Sequence, residues 1–201
     1  MKLYFTPGVC SLASHIIMKE LNLPVNLVRV DLANKKTSTG EDYLAINKKG
    51  YVPALELDDG SILTEGVAIL QYLADQKPDA GLAPANGTME RYRLQEWLTF
   101  INSEIHKSYS PLFDKSTPEQ TKKTHHEKLA KRHSFIAEHL ENQEFLLGNN
   151  FTVADAYLFT TMTWAGFFNI DFSKWPSLKA YQERIAAFPS VQAARAAEKV
   201  S

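Results

Sequence analysis

Residues 1–30 read MKLYFTPGVCSLASHIIMKELNLPVNLVRV, and this stretch decides the fold of the first part of the chain. The apolar residues 2–5 predict a short buried strand that ends at the Pro7-Gly8 turn. Residues 11–21 place apolar side chains at helical spacing, and residues 26–30 form a second apolar run. A strand, a helix and a strand within about thirty residues have the length of a parallel crossover.

The residues that follow extend this unit. Residues 53–57 and 61–64 are short apolar runs on either side of Asp58-Asp59-Gly60, and an Asp-Gly pair in that position predicts a hairpin. A helix with a buried apolar face opens at Thr64-Glu65-Gly66. The order βαβ-ββα predicts an α/β thioredoxin-like domain over residues 1–78.

The rest of the chain has a helical character. Residues 77–87 contain two prolines and two glycines and show no period, as is typical of a linker. Five helices are predicted beyond it, over about residues 88–113, 118–142, 152–167, 175–187 and 189–199. The sequence therefore predicts an all-α second domain over residues 87–201.

The composition excludes several classes of protein. The chain has 201 residues and a formal net charge of −1, with 44% hydrophobic and 22% charged residues, as in ordinary globular proteins. Neither half carries an excess of basic residues, so no nucleic-acid partner is expected. No apolar run reaches the length of a membrane span, so no membrane partner is expected and a cytoplasmic location is predicted.

Cysteine and histidine usage argues against a metal centre. Cys10 is the single cysteine, which excludes an internal disulfide and a cysteine-cluster metal site and suggests a reducing compartment. Four of the six histidines have no acidic or cysteine partner at ligand spacing and are expected at the surface: His125, His126, His133 and His139. No metal is therefore expected.

Cys10 is the first candidate for chemistry. It lies two residues beyond Gly8, where the first helix begins, so its sulfur is expected near unpaired backbone N–H groups that stabilise a thiolate. Cysteine is also often a small buried hydrophobe. The residue alone leaves both interpretations open.

Two further motifs favour a ligand site. Val52-Pro53 precedes a strand, where a cis peptide is frequent, and in a thioredoxin-like arrangement Val52 presents its backbone toward the cysteine as a clamp for an extended peptide. An ordinary trans proline on an edge strand is the alternative. Glu65-Gly66 at a helix start suits the two charges of an amino-acid zwitterion, although a plain helix start explains it equally.

Together these motifs carry a family resemblance. The chain resembles the cytosolic glutathione S-transferases, and within them the bacterial beta class, whose members have a cysteine where other classes use tyrosine or serine. The resemblance spans essentially the whole chain. It rests on four stretches: Pro7-Gly-Val-Cys-Ser11, Asn47-Lys-Lys-Gly-Tyr-Val-Pro-Ala-Leu55, Leu63-Thr-Glu-Gly-Val-Ala-Ile69 and Phe151-Thr-Val-Ala-Asp155.

The resemblance implies a role for each matching residue of the first domain. Glutathione would be the co-substrate, with its cysteinyl unit on the backbone of Val52 and with Pro53 in the cis form. Glu65 and Gly66 would hold the γ-glutamyl end, and Lys35 would meet the glycyl carboxylate. A mixed disulfide with glutathione would fall on Cys10, with Ser11 beside it as a further catalytic residue.

The first helix of the second domain carries a polar stripe, formed by Thr99, Ser103, His106 and Ser110. Such a stripe is usually only solvated. Beta-class proteins turn it toward the glutathione sulfur, which implies a catalytic His106 and glutathione contacts from Thr99, Ser103, Glu104, His106 and Lys107. Relatives commonly have asparagine at the position of Thr99, and threonine lacks the amide donor of asparagine.

The motifs and the resemblance leave three alternative functions. The leading one is a glutathione S-transferase that stabilises the glutathione thiolate, with help from a protonated His106, and conjugates it to small hydrophobic electrophiles. The second is a glutaredoxin-like thiol–disulfide oxidoreductase acting through Cys10. The third is a non-catalytic binding module on the same scaffold. The resemblance also implies a homodimer and an electrophile pocket that includes Phe113, Trp164, Phe167 and Phe168.

Overall fold

The computed structural model describes residues 1–200, and for Val200 the backbone alone. The chain divides into two compact units, of which the first comprises residues 1–80 together with residues 187–200 and the second comprises Gly81–Ala186. No helix of the described residues is both long enough and apolar enough to cross a bilayer.

The described residues of the first unit form five strands and four α-helices. The strands are β1 (Lys2–Phe5), β2 (Asn26–Asp31), β3 (Lys36–Thr37), β4 (Ala54–Glu56) and β5 (Ile62–Thr64). Its first three helices are α1 (Ser11–Glu20), α2 (Tyr43–Ile46) and α3 (Gly66–Asp75). The second unit contains α4 (Met89–Phe100), α5 (Lys107–Phe113), α6 (Glu119–His139), α7 (Val153–Met162) and α8 (Pro176–Ala186), and α9 (Pro189–Val200) returns to the first unit.

The sheet has the strand order β3-β2-β1-β4-β5. Strand β2 runs parallel to β1, and β4 runs antiparallel to β1 with Leu3 opposite Leu55. Strand β5 completes the hairpin with Leu63 opposite Leu55. The predicted βαβ-ββα order is confirmed, and the mostly polar segment 34–49, which favours irregular or briefly helical structure, adds the short strand β3 as well as α2.

Alternation along β1 divides the core of the first unit into two layers. Tyr4 packs on one face of the sheet, in a cluster with Tyr43 and Val52. Its neighbours Leu3 and Phe5 are fully buried on the opposite face, where Phe5 contacts the ring of His15 on α1. The second layer therefore ties the first helix to the strand that precedes Cys10.

The last helix packs on the first. Helix α9 lies against α1 and buries Val191, Ala194 and Glu198. The sequence-based division grouped these residues with the helical domain 87–201, whereas their contacts group them with residues 1–80. The apolar periodicity of α9 indicates a buried face but carries no information about which neighbour covers it.

Helix α7 begins with a capping box formed by Thr152 and Asp155. The Thr152 N–H donates to Asp155 Oδ2 over 2.8 Å, and the Asp155 carboxylate also accepts from the Leu146 N–H and the Tyr181 hydroxyl, both over 2.9 Å. Burial raises the pKa of Asp155. These bonds give Asp155 a structural role at the start of a helix that is buried along its whole length.

Candidate functional site

The turn after β1 presents Cys10 at the start of α1. Gly8 adopts φ +71°, which glycine accepts readily, and Cys10 occupies the N-cap position of the helix without a side-chain capping bond. The Cys10 Sγ donates to the Val52 carbonyl over 3.1 Å. Ser11 is fully buried, and its hydroxyl donates to the Thr6 carbonyl over 3.2 Å and accepts from the Thr6 N–H over 3.3 Å. Ser11 therefore fixes the turn that holds Cys10.

Burial keeps Cys10 protonated. It raises the pKa of the Cys10 thiol to about 12, because a thiolate there would lose its hydration. The backbone N–H groups of Cys10 and Ser11 act in the predicted direction and lower the pKa, but by less than burial raises it. The negative charge of Glu65 raises it further. Of the two interpretations that the sequence left open for Cys10, the buried neutral thiol describes the free protein, in which Cys10 is a hydrogen-bond donor.

The Val52–Pro53 peptide bond is cis, as predicted. Just before it, the Tyr51 carbonyl accepts from the Tyr43 hydroxyl over 2.8 Å and from Asn47 Nδ2 over 2.9 Å. The Val52 carbonyl accepts from Cys10, while the Val52 N–H makes no hydrogen bond within residues 1–200. An unpaired backbone N–H next to a cysteine sulfur offers a peptide ligand a hydrogen-bonding position.

Glu65 stands at the start of α3 in an unusual backbone conformation, with φ +72°. Its carboxylate pairs with Lys49 Nζ over 2.6 Å, and both side chains are more than half exposed. A side chain other than glycine that is held in this region of φ/ψ space is often found at a ligand site. A Cβ on Gly66 would lie 3.8 Å from the Pro53 ring, which is ordinary contact, so packing within the protein does not require glycine there.

Lys35 lies beside the chain that leads to Val52. Its ammonium group donates to the Gly50 carbonyl over 2.9 Å and stands 5.9 Å from the centre of the Tyr51 ring. The first unit thus brings Cys10 against Val52 and places the Pro53 ring next to Gly66 at the start of α3, with Lys35 held along the segment that precedes Val52.

In the second unit, α4 runs into a π-helical segment, Ile101–His106, before α5. This segment widens the helix and changes the angular spacing on which the predicted polar stripe depended. Thr99, Ser103 and Ser110 are exposed, and His106 is half-buried. The Ser103 hydroxyl donates to the Thr99 carbonyl over 2.9 Å.

Glu104 makes ion pairs with α6. Its carboxylate lies 2.7 Å from Arg132 Nη2 and 3.3 Å from Lys128 Nζ. The hydrogen bond from Arg132 and the bond and charge of Lys128 lower the pKa of Glu104. The observed partners of Glu104 are therefore basic side chains of the same unit, and Lys107 nearby is exposed.

His106 is held by two residues that the sequence did not single out, Tyr157 and Asn102, and by Trp164. Its Nδ1 lies 2.7 Å from the Tyr157 hydroxyl, which in turn donates to Asn102 Oδ1 over 3.0 Å. The ring also meets Trp164 edge-on, 5.0 Å between centroids. Burial, assisted by the charge of Lys107, lowers the pKa of His106 to about 4. The expectation of a protonated His106 is wrong, since the ring is neutral at pH 7.

Tyr157 gives no signal in the sequence, because it lies within an apolar helix whose residues are all typical of a protein core.

His133 was expected at the surface, and this expectation is wrong. The His133 ring is fully buried between Phe172 and Trp175, and neither of its nitrogens has a hydrogen-bond partner within the described chain. Among residues 1–200 no group of three or more His, Cys, Asp or Glu side chains is arranged to hold a metal ion.

Comparison with known proteins agrees with this architecture. Family profiles match the glutathione S-transferase N-terminal domain over residues 9–76 and the C-terminal domain over residues 97–189. Glutathione S-transferase GstA of Escherichia coli O157:H7 is 46% identical over 198 residues, which cover 98% of each chain. A sphingomonad glutathione S-transferase complexed with glutathione is 44% identical, with a TM-score of 0.97 and full coverage of both chains.

A thioredoxin-like sheet with a cis-proline beside a cysteine, followed in the chain by a helical unit, defines the glutathione transferase class of fold, and the chain belongs to the glutathione S-transferase family. The beta-class enzyme of Sphingomonas chungbukensis is 46% identical, with a TM-score of 0.96 and full coverage of both chains. The resemblance to the beta class is confirmed: the protein is a glutathione transferase of this class, with glutathione as co-substrate.

Proposed function

We propose that the enzyme binds glutathione along Cys10, Val52, Pro53, Glu65 and Gly66 and transfers its sulfur to small hydrophobic electrophiles. The observation that carries this proposal is the Val52 N–H, which makes no hydrogen bond within residues 1–200 and lies next to the Cys10 sulfur. An extended γ-linked tripeptide whose cysteinyl carbonyl accepts from Val52 would bring its own sulfur to Cys10.

Charged groups of the first unit are complementary to the two charged ends of the tripeptide. The Glu65 carboxylate suits the γ-glutamyl ammonium, and the free N–H groups at the start of α3 suit the neighbouring carboxylate. Glu65 exchanges Lys49 for the ligand at little cost, because their ion pair is solvent-exposed. Lys35 supplies a cation for the glycyl carboxylate.

Cys10 acts as a hydrogen-bond donor in this proposal. Its proton, given to the Val52 carbonyl in the free protein, turns to the sulfur of glutathione and stabilises the thiolate. Each unit by which the pKa of the glutathione thiol falls corresponds to about 1.4 kcal/mol. Ser11 keeps Cys10 in place. The resemblance assigns His106 and Lys107 to the same reaction, and we propose neutral His106 as the proton acceptor. Thr99, Ser103 and Glu104 stay assigned to glutathione contacts by resemblance.

The proposed reaction is a substitution at carbon by the glutathione thiolate. The glutathione S–H bond breaks, the proton goes to His106, and the thiolate forms a carbon–sulfur bond as the leaving group departs with its electron pair. An aromatic cluster in the second unit supports an aromatic electrophile. The centre of the Phe113 ring lies 4.7 Å from that of Phe168, 5.8 Å from that of Trp164 and 6.5 Å from that of Phe167. Phe113 and Phe167 are more than half exposed, as a binding surface requires.

Homodimerisation and a cytoplasmic location belong to the same proposal. Met89 and Tyr92 on α4 are more than half exposed, which supports a covered interface at the start of that helix. A lone unpaired cysteine and a thiol co-substrate suit a reducing compartment.

The test compares conjugation of a chlorinated nitroaromatic with reduction of a glutathione mixed disulfide in the wild type, Cys10→Ser and Cys10→Ala. If Cys10 acts as a donor, Cys10→Ser keeps much of the conjugation and Cys10→Ala loses it. A wild type that reduces the mixed disulfide and does not conjugate would instead favour the glutaredoxin-like function. Failure to bind immobilised glutathione would favour a non-catalytic module.

A further inference from the structure

We infer that Tyr157 is a positioning residue that fixes His106 in the tautomer with the proton on Nδ1, so that Nε2 is the nitrogen that can accept a proton. This inference deepens the proposed function and rests on it for its catalytic consequence. The tautomer itself is independent of that function.

The direction of the hydrogen bonds follows from the number of protons available. The Tyr157 hydroxyl has one proton and gives it to Asn102 Oδ1 over 3.0 Å. Its oxygen is then an acceptor toward His106 Nδ1, which lies 2.7 Å away. A neutral imidazole carries one N–H, so a donating Nδ1 leaves Nε2 with a free lone pair.

The backbone holds this chain of hydrogen bonds in place. Asn102 and His106 both lie in the π-helical segment, where the Lys107 N–H bonds to the Asn102 carbonyl five residues back. Tyr157 is buried in the middle of α7, so its ring has little freedom to turn away. Trp164 packs edge-on against the His106 ring and limits its rotation. The tautomer is therefore set by the protein before any ligand arrives.

The alternative tautomer has a clear consequence. If Nε2 carried the proton, Nε2 would be a hydrogen-bond donor and could not accept a proton from a thiol. A neutral base of low pKa works only when its free nitrogen faces the acid, so control of the tautomer decides whether His106 is useful in catalysis.

The experiment measures the tautomer directly by long-range ¹H–¹⁵N correlation on protein with ¹⁵N-labelled histidine, at pH 7 and without glutathione. The wild type is expected to show His106 protonated at Nδ1, and Tyr157→Phe to show a mixture or the Nε2–H form. Asn102→Leu removes the acceptor for the tyrosine proton, which then turns to Nδ1, so the Nε2–H form is expected. Asn102→Asp retains an acceptor and is expected to keep the wild-type tautomer.

Kinetics provide the second measurement. Tyr157→Phe, with mixed tautomers, is expected to lower kcat about tenfold or more, and Asn102→Leu is expected to lower it by roughly 10²-fold or more, because a general base contributes roughly 10²–10⁴ to a rate. The KM for glutathione is expected to be nearly unchanged in both variants. Tyr109→Phe is the matched control. Tyr109 is fully buried in the same unit, and its hydroxyl has no hydrogen-bond partner within the described chain.

The outcomes separate the two proposals. An Nε2–H tautomer in the wild type, or an Nδ1–H tautomer that survives Tyr157→Phe, overturns the inference whatever the kinetics. An Nδ1–H tautomer that depends on Tyr157, together with normal turnover in His106→Ala, supports the positioning by Tyr157 and contradicts only the proposed role of His106 in proton transfer.

Discussion

The Gly8 N–H donates to Glu198 Oε2 over 2.9 Å and thereby joins the turn before Cys10 to the last helix of the chain. The other oxygen of the same carboxylate lies 3.2 Å from His15 Nδ1, and both side chains are buried. One carboxylate on α9 therefore holds both the turn and the helix that together present Cys10.

Replacing Glu198 is expected to destabilise the fold. Glu198→Ala leaves the Gly8 N–H and His15 without their buried acceptor, which costs about 2–4 kcal/mol of unfolding free energy. Urea denaturation measures the loss. The control is Glu183→Ala, which removes an exposed carboxylate 3.8 Å from Lys179 Nζ and is expected to cost less than about 0.5 kcal/mol. Equal losses in the two variants would contradict a special role for Glu198.

Cys10 is expected to resist alkylation at neutral pH. Because Cys10 is the only cysteine, the rate with iodoacetamide reports its thiolate alone. Burial raises its pKa from 9.0 to about 12, so the rate at pH 8 should be far below that of the urea-unfolded chain. The folded state retains this proton longer than the unfolded state does, so its contribution to stability is complete below pH 9 and is lost as the pH rises toward 12. Fast alkylation of the folded protein at pH 7 would refute the burial argument.

His133 is expected to make the protein sensitive to acid. Burial lowers its pKa from 6.5 to about 4, so the unfolded state takes up a proton first as the pH falls. The stability that the neutral ring contributes is complete above pH 6.5 and falls by about 1.4 kcal/mol per pH unit down to about pH 4.

The variant His133→Phe isolates this effect. It keeps a ring of similar size against Phe172 and Trp175 and removes two buried nitrogens that have no partner within the described residues. We expect the difference in urea midpoint between the variant and the wild type to grow between pH 7 and pH 5. His106, whose pKa is also lowered, is present in both proteins and cancels in the comparison. A difference that is independent of pH would show that His133 does not titrate as its burial predicts.

Local signals predicted much of the fold and part of the site. The Asp59-Gly60 pair predicted the hairpin and the Val52-Pro53 pair predicted the cis bond, because each depends on the chemistry of a few neighbouring residues. His133 and the state of Cys10 could not be predicted, since both depend on burial by elements that are distant in the sequence.

The π-helical segment is the clearest case of this limit. The residues 101–106 carry no proline or glycine to mark a change of helical period, and the expected stripe assumed 3.6 residues per turn. The bond between Tyr157 and His106 forms where α7 meets this segment, so the spacing along either helix alone does not reveal it.

Gly50 is expected to control the position of Lys35. Alanine variants at Gly50 and Gly40 distinguish the effect of backbone strain from the effect of crowding by an added Cβ. Gly50 has φ +68°, and a Cβ there would come within 3.2 Å of Leu44 Cδ2 and 3.5 Å of Lys35 Nζ. Gly40 has φ +89° with nothing within 4 Å of such a Cβ, so Gly40→Ala carries the strain without the crowding. Both alanine variants should lose about 1–2 kcal/mol of unfolding free energy.

Only Gly50→Ala should also raise the KM for glutathione, because it displaces the ammonium group that now donates to the Gly50 carbonyl. We expect an increase of about fivefold to tenfold, which corresponds to the loss of one charge-assisted bond from the half-buried Lys35 to glutathione. Steady-state kinetics with glutathione as the varied substrate measures it, and Lys35→Met provides the reference for complete loss of the charge. If Gly50→Ala and Gly40→Ala have the same KM while Lys35→Met has a higher one, Lys35 binds glutathione from a position that Gly50 does not set.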